Sequence, residues 1–196
     1  PGPSTIKNGH RAMVALAPQK PDTILKEPPY EGQKRLYGTL HMGTGPNRHF
    51  PFVFDRAETP HPLLYFDANQ NGDLSDDSGP ISNKITGRFG SSLFIPFKRL
   101  VTEVTIPGEY RTWFFTNDSL WAKKQASRYS WTQFKGNLNI GDQTYTAHII
   151  DSGNQDADYT NDGICIDLNR DDKIDFKREY FEPGATARIE AKDYTF

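Results

Sequence analysis

The sequence predicts a mainly β protein: a β-sandwich-like body built from an internal two-copy repeat, preceded by an extended N-terminal arm. Composition is one reason. Aromatic residues make up 13% of the 196, with 16 glycines and 14 prolines, whereas the Ala/Leu/Glu/Lys tracts of helical bundles are missing. Patterning is another, because short apolar–polar alternating runs begin at Lys34 and recur to the C-terminus. A third is the likeness between residues 38–75 and 136–175.

Residues 1–33 hold six of the 14 prolines and few large apolar residues, so they read as an extended Pro-rich arm. Only Met13, Val14 and Leu16, in the segment AMVALA, give the arm anything to bury. Residues 34–196 read as the duplicated body, with copies over about 34–110 and 130–196. KRLYGTLHM places Leu36, Leu40 and Met42 on one face, and HFPFVF does the same for Phe50, Phe52 and Phe54. The intervening GTGPN makes the pair a hairpin. Further strands are expected at 63–66, 93–97, 101–106, 110–115, 134–140, 144–150, 163–168 and 186–191, with turns at IPGEY and IGDQT. Residues 118–129 suit a helix or a strand.

The duplication aligns GTLHMG (38–43) with GNLNIG (136–141). Each is followed by a turn and an apolar strand ending in aspartate, at Asp55 and Asp151. LLYFDANQNGDLS then aligns with GICIDLNRDDKID, setting Asp67 against Asp167, Asn69 against Asn169 and Asn71 against Asp171.

These acidic loops carry the chemistry. Calcium is a hard cation that takes roughly 6–8 oxygens, and a short loop supplies them from side chains at alternate positions, a backbone carbonyl at the seventh and a later carboxylate. Asp67, Asn69 and Asn71 fit the alternate positions, Gly72 the sharp turn and Asp73 the carbonyl. Ser75 could act directly or through water, and Asp76 or Asp77 would close the shell. The second copy offers Asp167, Asn169, Asp171, the Lys173 carbonyl, Asp175 and Glu179, with Asp172 in place of the glycine. Asp151, Asp156, Asp158 and Asp162 form a further acidic stretch that could complete a shell or hold a third ion. Asp, Asn and Gly are also ordinary turn formers, so unliganded connections are the bland alternative.

The first loop resembles the calcium loop of EF-hand-like proteins, including the dockerin and thrombospondin type 3 variants. The second resembles the same loops over about a dozen residues. The resemblance implies Ca2+ as cofactor and the loop without its flanking helices, since LLYF precedes it as a strand.

Charge and motif content narrow the function. Lysine plus arginine total 23 against 25 acids, so no basic surface exists to hold nucleic acid. The longest apolar run, residues 12–17, is far short of the ~20 residues of a membrane helix. The lone Cys165 excludes an intrachain disulfide and reads as a small buried hydrophobe. The five histidines are dispersed, and neither nucleophile, zinc nor phosphate-loop motifs occur, so no enzyme activity is expected. The chain opens on proline with no signal peptide, which reads as a processed or trimmed chain.

The expected function is therefore a calcium-stabilised structural protein, extracellular or at the cell surface. It would self-assemble head to tail into a filament or array as the arm adds a strand to a neighbour's sheet. In that layout it loosely resembles secreted bacterial filament subunits joined by donated N-terminal strands. The alternative is a secreted carbohydrate-binding or hydrolase-associated β module with Trp113, Trp121, Trp131, Tyr110 and Tyr129 as a glycan platform. Aromatic strands more often fill a β core.

Overall fold

A computed structural model describes residues 11–56, 61–83, 85–96, 108–130, 132–151 and 154–196. The strand expected at 101–106, residues 1–10 of the arm and Trp131 lie outside them. The described strands are β1 (Ala12–Ala15), β2 (Lys34–His41), β3 (His49–Arg56), β4 (Pro62–Phe66), β5 (Arg88–Pro96), β6 (Glu109–Asn117) and β7 (Gln125–Ser130). They continue with β8 (Gln133–Ile140), β9 (Gln143–Ile150), β10 (Ile164–Ile166), β11 (Tyr180–Phe181), β12 (Thr186–Ile189) and β13 (Lys192–Thr195). The body is mainly β, as composition and patterning predict, and every named strand pairing is antiparallel. No helix among the described residues is long and apolar enough to cross a membrane.

Two sheets make the sandwich. The meander β2-β3-β4 turns Phe50, Phe52 and Phe54 toward the sheet ordered β1-β7-β6-β5, which contributes Val14, Ala126, Tyr110, Phe114, Phe89, Leu93 and Ile95. The layers interlock through rings: Phe52 meets Phe114 edge-on at 5.0 Å, and Phe54 meets Phe89 at 5.2 Å. The opposite face of the meander is also covered, so β4 is buried at every position, as a continuous apolar run requires.

That second cover comes from the later part of the arm, around Ile24 and Tyr30, while the start of the arm joins the facing sheet. β1 pairs with β7 of its own chain, placing Val14 and Leu16 in the main core while Met13 stays 50% exposed. Ile24, which the sequence reading leaves out of the core, is 1% exposed and packs with Tyr37, Val53, Leu63, Tyr65 and Leu74. Glu27 accepts the hydroxyls of Tyr30 (2.8 Å) and Tyr37 (2.9 Å), and Asp55 Oδ2 accepts the N–H groups of Glu31 and Gly32. Isolated apolar residues between prolines leave no periodic signal, which is why this packing is invisible in the pattern.

Residues 118–129, open between helix and strand, contain both. Asn117 caps the short helix α1 (Asp118–Ala122) by accepting the Leu120 N–H at 2.8 Å, and Lys124, at φ 54°, turns the chain into β7.

The second sheet system, β11-β10-β9-β8, packs with the β12-β13 hairpin around Ile140, Tyr145, Ile166, Ala187 and Ile189. Its register matches that of the first meander. Gly38 lies opposite Phe52, which lies opposite Phe66, the residue before Asp67. Gly136 lies opposite Ala147, which lies opposite Ile166, the residue before Asp167. Each loop aspartate then donates its N–H to the middle strand, Asp67 to the Pro51 carbonyl (3.0 Å) and Asp167 to that of Thr146 (2.9 Å). The strand-final aspartates do not correspond. Asp55 pairs with Arg35 and Ile150 with Gln133, each three residues before its glycine, so Asp151 falls one step later than Asp55. Matching by strand ends misses this because only cross-strand pairing sets the register.

The paired glycines differ in surroundings. A Cβ on Gly38 would lie 2.3 Å from Phe52 Cζ and 3.0 Å from Leu16 Cδ2, whereas one on Gly136 meets nothing within 4 Å. Gly38→Ala is expected to lower stability by about 1–3 kcal/mol through overpacking. Gly136→Ala should change it by no more than about 0.5 kcal/mol. Denaturant titration of both variants checks this, and equal effects would contradict the packing described.

Candidate metal loops

The first loop leaves β4 at Asp67, which is 1% exposed. Its Oδ1 accepts the Asn71 N–H (3.2 Å) and its Oδ2 that of Gly72 (2.8 Å). The alternate residues continue this ladder: Asn69 Oδ1 accepts the Asn71 N–H, Asn71 Oδ1 that of Asp73, and Asp73 Oδ1 both the N–H and the hydroxyl of Ser75. Asp76 takes the side-chain N–H groups of Asn69 and Asn71. Asp77 returns to the loop start, its Oδ1 accepting the Ala68 N–H at 3.1 Å, while its Oδ2 is buried with no hydrogen-bond partner. Burial pushes that carboxyl up to about 6, and Asp67 and Asp76 push the same way. Asp73 is held down to about 2 by the Ser75 hydroxyl and by Lys26, whose Nζ lies 2.9 Å away. The arm clamps the loop as well, since Leu25 and Lys26 both donate to the Gly72 carbonyl.

The second loop repeats the pattern. Asp167 accepts the N–H groups of Asp171 (3.1 Å) and Asp172 (2.9 Å), Asn169 Oδ1 accepts that of Asp171, and Asp171 Oδ1 that of Lys173. Asp172 adopts φ 59°, so the left-handed turn made by Gly72 (φ 78°) is made here without glycine, by a residue type that tolerates it. Asp175 Oδ1 accepts the Lys177 N–H and lies on the exposed side. Glu179, 3% exposed, takes the place Asp77 has in the first loop: its Oε1 accepts the N–H groups of Leu168 (3.0 Å) and Asn169 (3.3 Å), its Oε2 that of Asp175 (2.8 Å).

A third loop, 151–162, has the same ladder with one extra residue, which hides the spacing in the sequence. Asp151 accepts the Ala157 N–H (2.8 Å), Asn154 that of Asp156, Asp156 that of Asp158, and Asp158 the N–H and hydroxyl of Thr160. Gln155 and Ala157 take the positive φ values that Gln70 and Gly72 take in the first loop. This loop is built into the sandwich. Asp151 Oδ2 accepts the Tyr110 hydroxyl at 2.5 Å, the Gln155 side chain accepts the Ser130 N–H at 2.8 Å, and Arg128 donates to the Gln155 carbonyl. Burial pushes the Asp151 carboxyl up to about 6 and lowers Arg128.

Among the described residues no three Asp, Glu, His or Cys side chains converge as a metal cluster. The donor chemistry of loop one does not require it, since two of its five expected donors are amides and one is a backbone carbonyl. The buried, unpartnered Asp77 Oδ2 is the feature that fits a cation there.

The remaining residues fall elsewhere. Cys165 is fully buried and its thiol is pushed up to about 11 by burial. His41 meets His49 edge-on at 4.8 Å, and His148 Nδ1 lies 3.3 Å from Gln133 Oε1. Of the aromatics weighed as a platform, Tyr110 is fully buried and Trp121 packs against the core beneath Arg56. Trp113 and Tyr129 lie outside the buried clusters, side by side on the outer face of the sandwich.

Comparison with known protein families, characterised proteins and solved structures finds no match.

Proposed function

We propose that this protein is an extracellular structural β module whose acidic loops take up calcium. The supporting observation is one turn chemistry built three times, in which a strand-end aspartate and alternate Asp/Asn side chains fold the backbone around themselves. Loop one would bind through Asp67, Asn69, Asn71, the Asp73 carbonyl and Asp77. Loop two would use Asp167, Asn169, Asp171, the Lys173 carbonyl, Asp175 and Glu179. Bound calcium supplies positive charge to a chain with four aspartates and no lysine or arginine over residues 61–80. It replaces the disulfides that a single cysteine cannot form. Copies join head to tail by exchange of β1, which keeps its four pairings to β7 when made in trans. Removing residues 1–16, which takes away β1 and leaves Ile24 and Glu27 in place, would then reduce the particle to a monomer in sedimentation, and an unchanged size would sink the assembly step.

Titration calorimetry of chelator-stripped protein tests the calcium reading. Uptake is expected with a dissociation constant of about tens of micromolar to millimolar, and Asp67→Ala should remove one site. No heat of binding at 10 mM calcium, an arbitrary upper limit of about ten times the weakest expected constant, would refute it.

Binding should also depend on pH. With its carboxyl near 6 in the metal-free fold and 3.8 as the ordinary value, Asp77 holds its proton more tightly folded than unfolded. Its contribution to stability is therefore full below the unfolded value and lost as pH rises through about 6. Calcium uptake at pH 5.5 must displace that proton, so affinity should fall about several-fold between pH 7.5 and 5.5. A flat profile in the same titration would remove Asp77 from the shell.

A further inference from the structure

The outer face of the β1-β7-β6-β5 sheet carries a feature the calcium reading does not use. On a two-layer sandwich this face meets water, and strand alternation should make it polar. Instead Tyr129 and Trp113 are cross-strand partners with ring centroids 6.5 Å apart, and Phe115 lies two residues along β6. Gly90 opposes Phe115, and a Cβ there would lie 2.8 Å from Trp113 Cζ2, so the missing side chain lets the indole lie over β5. Asn83, Ile85 and Arg88 line the cleft beside the platform, and Asn83 Nδ2 donates to the Gly90 carbonyl at 3.1 Å. The result is an open cleft of about 370 Å³ lined by Trp113, Phe115, Tyr129, Asn83, Arg11 and Arg88, among others.

Its charge is one-sided. Among the described residues no Asp or Glu lines the cleft, and neither Arg11 nor Arg88 forms a salt bridge. The acids of this chain are concentrated in the loops. Two guanidinium groups at the edge of an aromatic floor complement a carboxylate carried on a ring whose C–H face lies against the aromatic faces. The cleft is at the small end of ligand pockets, with room for one or two sugar rings.

We propose that this cleft binds an acidic polysaccharide, holding a uronate-type sugar ring on Trp113 and Tyr129 with its carboxylate toward Arg88 and Arg11. A neutral glycan leaves both arginines without a partner. A single-stranded nucleic acid carries its charge on a backbone outside the stacked base, not on the stacked ring itself.

The test is tryptophan fluorescence and calorimetric titration of the full calcium-loaded chain with an oligogalacturonate trimer, beside maltotriose and an oligothymidylate of equal charge. The acidic trimer should bind at least about tenfold more tightly than either comparison ligand. Trp113→Ala should weaken it about tenfold. Arg88→Gln, at an exposed position on the outer face of β5, should weaken the trimer about fivefold and leave maltotriose unchanged. Unaltered melting of Arg88→Gln keeps that comparison free of folding effects. No binding of the trimer at millimolar concentration, equal binding of maltotriose, preference for the oligonucleotide, or undiminished binding by both variants would overturn the proposal.

Discussion

Phe54→Ala is expected to be the most damaging single substitution in the core, lowering stability by about 3–5 kcal/mol. Phe54 is fully buried and sits where the two layers meet, with ring centroids 5.6 Å from Phe52, 5.2 Å from Phe89 and 5.3 Å from Phe114. Those neighbours come from β3, β5 and β6, so no single strand can shift to fill the void. A chain of this size should lose about 2–4 °C of melting temperature per kcal/mol. Leu25→Ala is the control: at 74% exposure it should cost no more than about 0.5 kcal/mol. Similar melting of the two variants would mean that the sheets do not pack as described.

Glu179→Ala is expected to cost about 2–4 kcal/mol even in chelator, because its buried carboxylate accepts three backbone N–H groups that no other side chain replaces. Asp77→Ala, at the equivalent place in the first loop, should behave differently. Its Oδ2 is held out of water without a hydrogen bond, so in chelator its removal relieves part of the cost it imposes. In calcium both substitutions should destabilise. Four melting curves, two variants with and without metal, separate the roles; identical behaviour of the variants in chelator would contradict the contrast between the loops.

Much of this is legible in the sequence because it is local. Phe50, Phe52 and Phe54 announce a strand face by period, and Asp67-x-Asn69-x-Asn71-Gly72 announces a turn by the side chains that can fold it. What escapes is set by partners far along the chain. Ile24 joins a core only because the meander has a second face to cover. The third acidic stretch is visible in the sequence, but one inserted residue hides the spacing of its loop, and Asp151 gains its meaning from Tyr110, 41 residues away. Trp113 and Tyr129 read as core aromatics because alternation shows that a strand has two faces and not which one meets water.

If calcium is the staple of this fold, the metal-dependent melting curve shows it most directly. Scanning calorimetry of the intact chain in 10 mM calcium, then in EDTA, then after calcium is restored, should give a melting temperature that falls by about 5–10 °C and recovers. One site held at a hundred times its dissociation constant contributes about 2.7 kcal/mol. Three superimposable transitions would show that the acidic loops fold and hold the body without a metal.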